Sequence, residues 1–430
     1  MFKAKMQLVI IAGGKGTRLG LKDIPKPMVK IGSKPLLEHQ INLAKQYGID
    51  EIFILSGHLA NVIEDYFGDG SNFGVKIHHV VEPYPLGTAG SLKLLEGKLN
   101  DRFLVFYGDV VMDFDIDSFI KFDAQYSDSV GTTLVHPNDH PYDSDLLEID
   151  KNNRVIKMLP KPHQGGTFYQ NLVNAAVYIF STKVFDYIES GISQDFGKHI
   201  LGRIVNSGAE LYAYKTPEYI KDMGTADRFE KVTQDFISGK VARLNKKNKR
   251  ACIFLDRDGV INKNMDSNPT TKDFELLPDV SEAIKLINKS DYLSVVVTNQ
   301  PMIAKGFVSF EEIDNTHKKM ETLLGNEGAF VNGIYYCPHH PEKGFEGEVK
   351  ELKIDCECRK PKPGMLLQAA KDMNIDLENS YMIGDSLRDI DAGKNAGAKT
   401  ISIKKDYGAN YIADNLKEAV EYILKGENNG

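Results

Sequence analysis

The sequence predicts two α/β domains, each built on a doubly wound, mainly parallel sheet. The chain has 430 residues, which is more than a single hydrophobic core usually serves. In both halves, short apolar strands alternate with helical segments, the pattern expected when helices cover both faces of a parallel sheet. A polar, basic stretch at 239–250 separates the halves, so we expect domains at 1–238 and 251–425 joined by this linker.

The predicted elements are short and evenly spaced. In the first half we predict strands over 8–12, 51–56, 76–81 and 103–107 and helices over 36–47, 61–67 and 90–95. In the second half we predict strands over 252–255, 293–298, 381–383 and 399–403 and helices over 280–288, 311–324 and 365–373. This alternation is what predicts the parallel sheets.

The net charge of −7 disfavours a nucleic-acid partner, because phosphate backbones bind basic surfaces. Small phosphorylated substrates remain compatible with it, since they need only a local basic pocket. The longest early apolar run, Leu8 to Ala12, is far too short for a bilayer span or a secretory signal. We therefore expect a cytoplasmic protein with small-molecule substrates and no membrane partner. The sequence leaves the oligomeric state open.

A glycine-rich loop follows the first predicted strand. Its residues are Ala12, Gly13, Gly14, Lys15, Gly16, Thr17 and Arg18. Glycines let the backbone approach a phosphate, the bare N–H groups of such a turn bind anions, and Arg18 can add a charge-assisted contact. Two prolines hold Lys26 near this loop. Further along stand Asp109 and Asp222, and two carboxylates with a phosphate make a suitable Mg²⁺ site.

Residues 7 to about 235 resemble the sugar-phosphate nucleotidyltransferase family, whose fold is Rossmann-like. The resemblance rests on the glycine loop and on Pro25-Lys26-Pro27, Leu86-Gly87-Thr88-Ala89-Gly90, Gly108-Asp109, Lys161-Pro162, Asn174-Ala175-Ala176 and Asp222-Met223-Gly224-Thr225. It implies that the glycine loop, Arg18 and Lys26 bind the nucleotide phosphates. It implies that Asp109 and Asp222 hold Mg²⁺. It also implies nucleotide or sugar-phosphate contacts from Gly87, Thr88, Ala89, Gly108, Lys161 and Asn174.

The reaction implied by this resemblance is in-line attack of a sugar 1-phosphate on the α-phosphorus of a nucleotide, with release of pyrophosphate. It needs no protein nucleophile, so positioning and charge neutralisation carry the rate. Any one of these residues alone would more often be a turn or capping residue, and only their joint order points to chemistry. Two departures from the family bear on the sugar contacts: the segment from Arg18 to Lys26 is short, and Pro160 replaces a glutamate.

A second motif, Asp256-Arg257-Asp258-Gly259, stands at the end of an apolar strand. In extended backbone, positions i and i+2 share a face, so both carboxylates can reach one phosphate. One can attack phosphorus while the other carries the proton. An acidic pair alone is a weak signal, but three further segments follow in order. They are Thr298-Asn299-Gln300, Arg359-Lys360-Pro361 and Gly384-Asp385-Ser386-Leu387-Arg388-Asp389.

On these motifs, residues 251 to about 405 resemble the haloacid dehalogenase superfamily. The resemblance implies that Asp256 is the nucleophile of an aspartyl-phosphate and that Asp258 is general acid and then base. It implies that Asp385 binds Mg²⁺ with Asp256 and the Asp258 carbonyl, and that Asp389 supports this site. It also implies contacts to the phosphoryl group or substrate from Thr298, Asn299, Arg359 and Lys360. Mg²⁺ is thus expected in both domains.

Three of the four cysteines lie with a histidine in two short motifs, Cys337-Pro338-His339 and Cys356-Glu357-Cys358. Three thiolates and an imidazole suit tetrahedral Zn²⁺, and a reducing compartment favours metal over disulfide. A structural Zn²⁺ here would hold the adjoining Arg359-Lys360 in place, whereas the alternative is three free surface cysteines. The zinc loop resembles that of heptose-bisphosphate phosphatases and the related histidinol-phosphatases.

Fusion of the two domains suggests consecutive steps. The phosphatase would remove the 7-phosphate of D-glycero-D-manno-heptose 1,7-bisphosphate, and the nucleotidyltransferase would transfer GMP from GTP to heptose 1-phosphate, giving GDP-heptose, a surface-glycan precursor. Resemblance to heptose- and mannose-1-phosphate guanylyltransferases favours guanine, although no single residue proves the base.

Two alternatives remain. The first is a histidinol-phosphatase-like domain beside a mannose-1-phosphate guanylyltransferase or another sugar nucleotidyltransferase. The second is a regulatory sensor that has lost its chemistry. The second alternative predicts that catalytic residues are missing, yet those singled out above are all present: Lys26, Asp109, Asp222, Asp256 and Asp258.

Overall fold

The computed structural model describes residues 6–14, 16, 20, 21, 23–264 and 270–427. The chain divides into two compact units. The first comprises Met1–His136, Ser144–Lys161 and Leu172–Asn245, and the second comprises Pro137–Asp143, Pro162–Asn171 and Lys246–Gly430. Two short stretches from the first half of the sequence therefore belong to the second unit. No helix among the described residues is long and apolar enough to cross a membrane.

The first unit contains thirteen strands and seven α-helices within the described residues. The strands are β1 (Gln7–Ile11), β2 (Lys30–Ile31), β3 (Lys34–Pro35), β4 (Glu51–Ser56), β5 (Lys76–Val81), β6 (Arg102–Tyr107), β7 (Val110–Asp113), β8 (Gly131–His136), β9 (Leu146–Ile149), β10 (Val155–Leu159), β11 (Val173–Ser181), β12 (Leu211–Lys215) and β13 (Tyr219–Asp222). The helices are α1 (Leu36–Gln46), α2 (Ala60–Phe67), α3 (Gly87–Leu92), α4 (Ile116–Asp123), α5 (Leu201–Asn206), α6 (Ala226–Ile237) and α7 (Lys240–Arg243).

The main sheet of the first unit is mixed. Strands β5, β4, β1 and β6 lie side by side and run parallel, as the sequence predicts. Beyond β6, strand β11 runs antiparallel and pairs with β8 and β9, while β10 pairs with β9 and β12 runs parallel to β8. The prediction of a mainly parallel sheet is therefore correct for β1, β4, β5 and β6 but not for the strands beyond β6. Of the later strands, β9 and β10 are joined by a short turn, which is the connection that antiparallel neighbours can use, whereas α4 precedes β8 and α5 precedes β12.

Both faces of this sheet are covered. Leu8, Val9 and Ile10 of β1 are completely buried, as a continuous apolar run must be when helices pack on both sides. Leu8 and Ile10 belong to one hydrophobic cluster and Val9 belongs to another, because successive side chains of a strand point to opposite faces. The doubly wound prediction thus holds for the parallel part of the first unit.

The stretch at 239–250 begins with packed structure. Helix α7 lies inside it, and Val241 is buried together with Leu244 in a small cluster that includes Tyr219 and Val232. The polar side chains of Asn245 and Arg250 are also buried. Its first part is therefore packed within the first unit, whereas we expected solvated linker.

The second unit contains one parallel sheet of six strands within the described residues. The strands are β14 (Cys252–Leu255), β15 (Leu293–Asn299), β16 (Gly333–Cys337), β17 (Tyr381–Gly384), β18 (Lys399–Ile403) and β19 (Tyr411–Ala413). The helices are α8 (Val280–Lys289), α9 (Phe310–Asn326), α10 (Gly364–Met373), α11 (Leu387–Ala396) and α12 (Leu416–Glu427). The order is β16-β15-β14-β17-β18-β19, with every pair parallel.

This second sheet confirms the doubly wound prediction. Ile253 and Leu255 of β14 pack in one cluster with α8 and α12, while Cys252 and Phe254 pack in the cluster on the other face with α10. Because β14 lies between β15 and β17, the carboxyl ends of three parallel strands meet at one edge. Such an edge is where open α/β sheets place their functional side chains.

Candidate active sites and metal centre

The predicted phosphatase residues meet at that edge of the second sheet. Asp256 directly follows β14, Thr298 lies near the end of β15, and Asp385 directly follows β17. Asp256 is 9% exposed and Thr298 is 1% exposed, so both are held out of bulk water. The register of the parallel strands therefore assembles a carboxylate pair and a hydroxyl from positions far apart in the sequence.

Lys360 is a buried positive charge between two carboxylates. Its Nζ lies 2.8 Å from Asp256 Oδ1 and 2.6 Å from Asp389 Oδ1, and it donates to the carbonyl oxygen of Val297 at 2.8 Å. Burial would lower the pKa of Lys360, but the two carboxylates outweigh burial and raise it. The ammonium is therefore kept charged where a phosphoryl group would need neutralising.

Burial also acts on the predicted nucleophile. It raises the pKa of Asp256 to about 7, against the opposing charge of Lys360, and Asp389 adds to the rise. A nucleophilic carboxylate must be ionised, so this position depends on positive charge beside it. Oxygens of Asp256, Asp385 and Asp389 lie within 4.8 Å of one another and could hold a metal ion. An all-oxygen donor set fits Mg²⁺.

Two details show how closely this acidic group is packed. Gly259 has φ +85°, and a Cβ atom there would overlap Oδ2 of Asp385, so only glycine fits. Asp389 caps α11, because its Oδ2 accepts from the Ser386 hydroxyl at 2.6 Å and from the Ser386 N–H at 3.1 Å. Since its other oxygen meets Lys360, Asp389 is placed to support the site rather than to react.

Asp258 is fixed by three side chains to which the sequence analysis assigned no role. Arg257 Nη2 lies 3.0 Å from both carboxylate oxygens, Asn262 donates at 2.9 Å, and Gln300 donates at 2.9 Å. Arg257 is itself buried and its Nη1 lies 3.3 Å from Nε2 of His317, whose pKa is held well below its usual range by burial and by Arg257. The only sequence signal for Arg257 was its place between the two aspartates of the motif.

The two predicted substrate contacts make internal hydrogen bonds. Asn299 Oδ1 accepts from the Lys360 N–H at 3.0 Å, and its Nδ2 donates to the Lys360 carbonyl at 3.1 Å. Arg359 donates from Nη1 to the carbonyl of His339 at 3.1 Å. In this structure both side chains therefore position the lysine segment and its neighbour, the cysteine–histidine loop.

The four predicted zinc ligands lie together. Sγ of Cys358 lies 3.2 Å from those of Cys337 and Cys356 and 3.3 Å from Nδ1 of His339. Cys337 lies 3.5 Å from Cys356 and 3.6 Å from His339 Nδ1. Zinc bonds of about 2.3 Å to sulfur give tetrahedral edges of about 3.7 Å, so the cluster has the ligand set and nearly the size of such a site. The fourth cysteine, Cys252, is buried in the core.

In the first unit, the glycine loop directly follows β1. Of its predicted phosphate contacts, Thr17 and Arg18 lie outside the described residues. Ala12 is buried and donates its N–H to Leu55 at 2.7 Å, while Gly16 has φ +63°, a conformation that favours glycine. Gly14 has open space where a Cβ would lie. This part of the loop thus leaves backbone accessible next to the strand.

A carboxylate that the sequence analysis missed lies against this loop. A Cβ atom on Gly13 would come within 2.5 Å of Oε1 of Glu82, so Gly13 is what lets Glu82 approach. The other oxygen of Glu82 accepts from the Leu86 N–H at 3.0 Å. Burial raises the pKa of Glu82 against this hydrogen bond. Its position, five residues before Gly87, was the only sequence signal.

Lys26 and Asp109 form a close ion pair beside the loop. Gly108 donates its N–H to the Ile11 carbonyl at 2.9 Å, and a Cβ there would lie 3.0 Å from Cγ of Pro27. The glycine thus allows the segment carrying Lys26 to pack on the end of β6. A lysine and an aspartate predicted from separate motifs are brought together in this way.

The second predicted magnesium ligand lies next to Asp109. Strand β13 pairs with β7 so that Asp222 is opposite Val110, and Met223 donates its N–H to the Asp109 carbonyl at 3.1 Å. Arg228 Nη1 lies 3.0 Å from Asp222. Burial would raise the pKa of Asp222, but Arg228 and the Gly224 N–H lower it, so the carboxylate is ionised. The backbones around the two aspartates are thus in contact, and carboxylate oxygens with a phosphate are suitable Mg²⁺ ligands.

The Gly87-Thr88-Ala89 segment is fixed against residues 194–196. Gly87 has φ +72°, and a Cβ there would lie 2.6 Å from the Gln194 carbonyl oxygen, which accepts from the Ala89 N–H at 2.8 Å. The Thr88 hydroxyl donates to Asp195 at 3.2 Å and accepts from the N–H of residue 196 at 3.0 Å. Both hydrogen bonds of the Thr88 hydroxyl therefore go to the segment against which it packs.

Lys161 and Asn174 are linked by a third residue. Asp145 Oδ1 accepts from the Lys161 N–H at 3.1 Å, and the Asp145 carbonyl accepts from the Asn174 N–H at 3.1 Å. Asp145 belongs to no recognisable motif, so nothing in the sequence singled it out. It brings a carboxylate next to the two residues that we expect to contact the sugar phosphate.

Comparisons with known proteins match both halves of the chain. A nucleotidyl transferase family model matches residues 7–239, and a HAD-hydrolase-like model matches residues 357–423. A D-glycero-beta-D-manno-heptose-1,7-bisphosphate 7-phosphatase of Haemophilus ducreyi is 38% identical over 184 residues, covering 40% of this chain and 98% of that protein. A mannose-1-phosphate guanylyltransferase of Mycobacterium tuberculosis is 31% identical over 239 residues, covering 55% of this chain and 66% of that protein.

Among solved structures, HddC from Yersinia pseudotuberculosis is 28% identical, with a TM-score of 0.47, over 54% of this chain and 99% of its own. The family matches agree with the resemblances found in the sequence, and nucleotide and sugar phosphates are the small molecules that suit both sites. The chain therefore belongs to the nucleotidyl transferase family through its N-terminal half and to the haloacid dehalogenase-type sugar phosphatases through its C-terminal half, and it is an enzyme in both.

Proposed function

We propose that this chain makes a nucleotide-activated heptose in two steps. The second unit hydrolyses the 7-phosphate of D-glycero-D-manno-heptose 1,7-bisphosphate, and the first unit transfers GMP from GTP to the heptose 1-phosphate that remains. The observation that carries the proposal is one chain that aligns with 98% of a heptose-bisphosphate phosphatase and also contains a nucleotidyl transferase half. The first reaction leaves the anomeric phosphate that the second reaction needs as its nucleophile.

In the phosphatase step, Asp256 attacks phosphorus and the bond from phosphorus to the sugar oxygen breaks. Asp258 gives its proton to that leaving oxygen, then takes a proton from the water that hydrolyses the aspartyl-phosphate. Lys360 and the Thr298 hydroxyl face the phosphoryl oxygens. Mg²⁺ held by Asp256, Asp385 and the Asp258 carbonyl would supply further positive charge against those oxygens.

In the transfer step, an oxygen of the sugar 1-phosphate attacks the α-phosphorus of GTP in line, and the bond to the leaving pyrophosphate breaks. The glycine loop, Arg18 and Lys26 hold the triphosphate, and Lys161 and Asn174 hold the sugar phosphate. Asp109 and Asp222 would hold Mg²⁺, which supplies charge neutralisation when bound.

Glu82 supports guanine as the base. Its carboxylate lies against Gly13 of the loop that we assign to the nucleotide. Guanine presents an N–H and an amino group side by side on its Watson–Crick edge, and a carboxylate is an acceptor for both. Adenine, cytosine and thymine do not offer two adjacent donors.

Mannose 1-phosphate is a second candidate acceptor, because one relative is named a mannose-1-phosphate guanylyltransferase. The phosphatase relatives are named for the beta anomer of the bisphosphate, so the anomer that this chain accepts must be tested directly. We also propose that Cys337, His339, Cys356 and Cys358 hold a structural Zn²⁺. Metal analysis of the purified protein should give one equivalent of zinc, and a protein active without zinc would contradict this.

Product analysis by mass spectrometry tests the proposed function. The protein is incubated with Mg²⁺, either anomer of heptose 1,7-bisphosphate, and GTP, ATP, CTP or dTTP in parallel. We expect phosphate release and GDP-heptose from one anomer. If heptose 1-phosphate accumulates and no nucleotide sugar forms, heptose 1-phosphate is not the acceptor. Mannose 1-phosphate is then tested as the acceptor. If the bisphosphate is not hydrolysed, the proposed phosphatase substrate is wrong, and histidinol phosphate is tested next.

A further inference from the structure

We propose that Asp145, Asn174 and Gly197 form a binding site for one hydroxyl group of the sugar that receives the nucleotide. This inference rests on the proposed nucleotidyl transfer and adds to it a group that distinguishes one sugar from another. The three residues come from β11 and from segments on either side of it, so no sequence motif joins them.

The amide of Asn174 has a fixed direction. Its Oδ1 accepts from the Thr133 hydroxyl at 3.3 Å and lies 3.4 Å from the N–H of Ala176. Because the oxygen is engaged on this side, the amino group turns the other way. Nδ2 lies 3.8 Å from the position that a Cβ on Gly197 would occupy. Asn174 therefore presents a hydrogen-bond donor to the space above Gly197.

The carboxylate of Asp145 presents an acceptor to the same space. Its Oδ1 accepts from the Lys161 N–H at 3.1 Å, which fixes the group. Its Oδ2 lies 3.1 Å from the same Cβ position of Gly197. A sugar hydroxyl donates one hydrogen bond and accepts others, so a single hydroxyl there satisfies both the aspartate and the asparagine.

Gly197 is needed for space and not for backbone conformation. Its φ is not in the left-handed region, so an L-residue with a side chain could adopt this backbone. What a side chain would do is fill the point on which Asp145 and Asn174 converge. A glycine kept at such a point leaves room for a ligand atom.

Charge indicates a hydroxyl rather than a phosphate oxygen. A carboxylate repels a phosphate but accepts hydrogen bonds from sugar hydroxyls, and such charge-assisted bonds are among the stronger ones. The chain has Pro160 directly before Lys161, so the carboxylate beside that lysine is supplied by Asp145 instead. The arrangement suits a sugar whose phosphate meets Lys161 while a hydroxyl reaches Asp145.

Two variants of the full chain test this site, each with a matched control. Gly197→Ala fills the space and keeps the bond from Asp145 to Lys161, and its control is Gly202→Ala, where a Cβ meets nothing within 4 Å. Asp145→Asn removes the charge but keeps an acceptor for Lys161, and its control is the exposed Asp186→Asn. Pyrophosphate release is measured with heptose 1-phosphate and mannose 1-phosphate, and binding of each sugar phosphate is measured by calorimetry.

We expect Gly197→Ala and Asp145→Asn each to raise KM for the sugar 1-phosphate about tenfold while KM for GTP stays unchanged. We also expect one monodeoxy sugar phosphate to be a poor substrate of the unaltered chain, with the defect reduced in Asp145→Asn. An unchanged KM for the sugar, or equal rises for sugar and GTP, would overturn the inference. An unaltered chain that binds neither sugar phosphate would remove the proposed acceptor, and the hydroxyl site with it.

Discussion

The phosphatase site and the nucleotidyl transferase site differ in how much of each is built from the protein's own contacts. In the phosphatase site, Asp256, Lys360 and Asp389 are buried and contact one another directly. In the transferase site, the Lys26–Asp109 pair and the Asp222–Arg228 pair are partly exposed on loops and strand ends. One site is a closed network of charges, and the other is an open surface of separate pairs.

The difference follows from the two reactions. A phosphatase that forms an aspartyl-phosphate must hold its nucleophile, its proton carrier and its cation in fixed positions before substrate arrives. A nucleotidyl transferase brings its nucleophile and most of its negative charge with the two substrates. Its protein groups need only position and neutralise them. We therefore expect a single substitution to cause a large loss of activity in the phosphatase site and a smaller, graded loss in the transferase site.

The largest expected effect comes from Asp256→Asn. An amide cannot attack phosphorus, so phosphate release should fall at least about 10⁴-fold, in keeping with the loss of other catalytic nucleophiles. Nucleotidyl transfer from GTP to added heptose 1-phosphate should remain, which serves as the internal control for folding. Both activities are measured on the same preparation. Joint loss would show that the two halves do not work independently.

A smaller but still large effect is expected from Lys360→Met. Removing this ammonium leaves two buried carboxylates unpaired, which costs about 3–5 kcal/mol of stability in the second unit. The rate of phosphate release should fall together with this stability. Lys362→Met is the matched control, because Lys362 pairs with Asp355 and Glu357 at the surface and surface pairs contribute little. Denaturant unfolding that gives similar midpoints for the two variants would contradict the closed-network description.

Much of the architecture could be predicted from the sequence. Cys252–Leu255 is an apolar run and Lys399–Ile403 alternates polar and apolar residues, and for both strands the predicted and observed bounds coincide. The zinc ligands and the phosphatase motif could be found because each set is written in short, chemically specific segments. The antiparallel strands β8 to β11 were missed, since their pairing is decided by turns and packing rather than by a helix between strands.

The site residues that were missed, and the contacts of one that was predicted, share one physical cause. Glu82 and Asp145 are single acidic residues outside any motif, and each matters only because a distant glycine leaves room for its carboxylate. Asn299 lies inside a motif, but its contacts with the Lys360 backbone depend on a loop 61 positions away in the chain. Spacing along the chain carries no information about such approaches, so only the folded structure reveals them.

The smallest expected effect, and the sharpest test of the open site, comes from Glu82→Gln. The amide keeps one acceptor but loses the charge and the second acceptor, so the preference for GTP over dTTP or CTP should fall about tenfold. Since burial already raises the pKa of Glu82, removing the charge should not destabilise the first unit.

The measurement for this last variant is kcat/KM for each nucleotide with a fixed sugar 1-phosphate. Glu96→Gln is the matched control, because Glu96 is an exposed partner of Lys93 away from the glycine loop. A lost preference with unchanged thermal stability would place Glu82 among groups that select substrate without holding the fold. Lost stability with unchanged preference would instead mean that Glu82 supports Gly13 and Leu86 structurally, and the transferase site would then be prebuilt in the same sense as the phosphatase site.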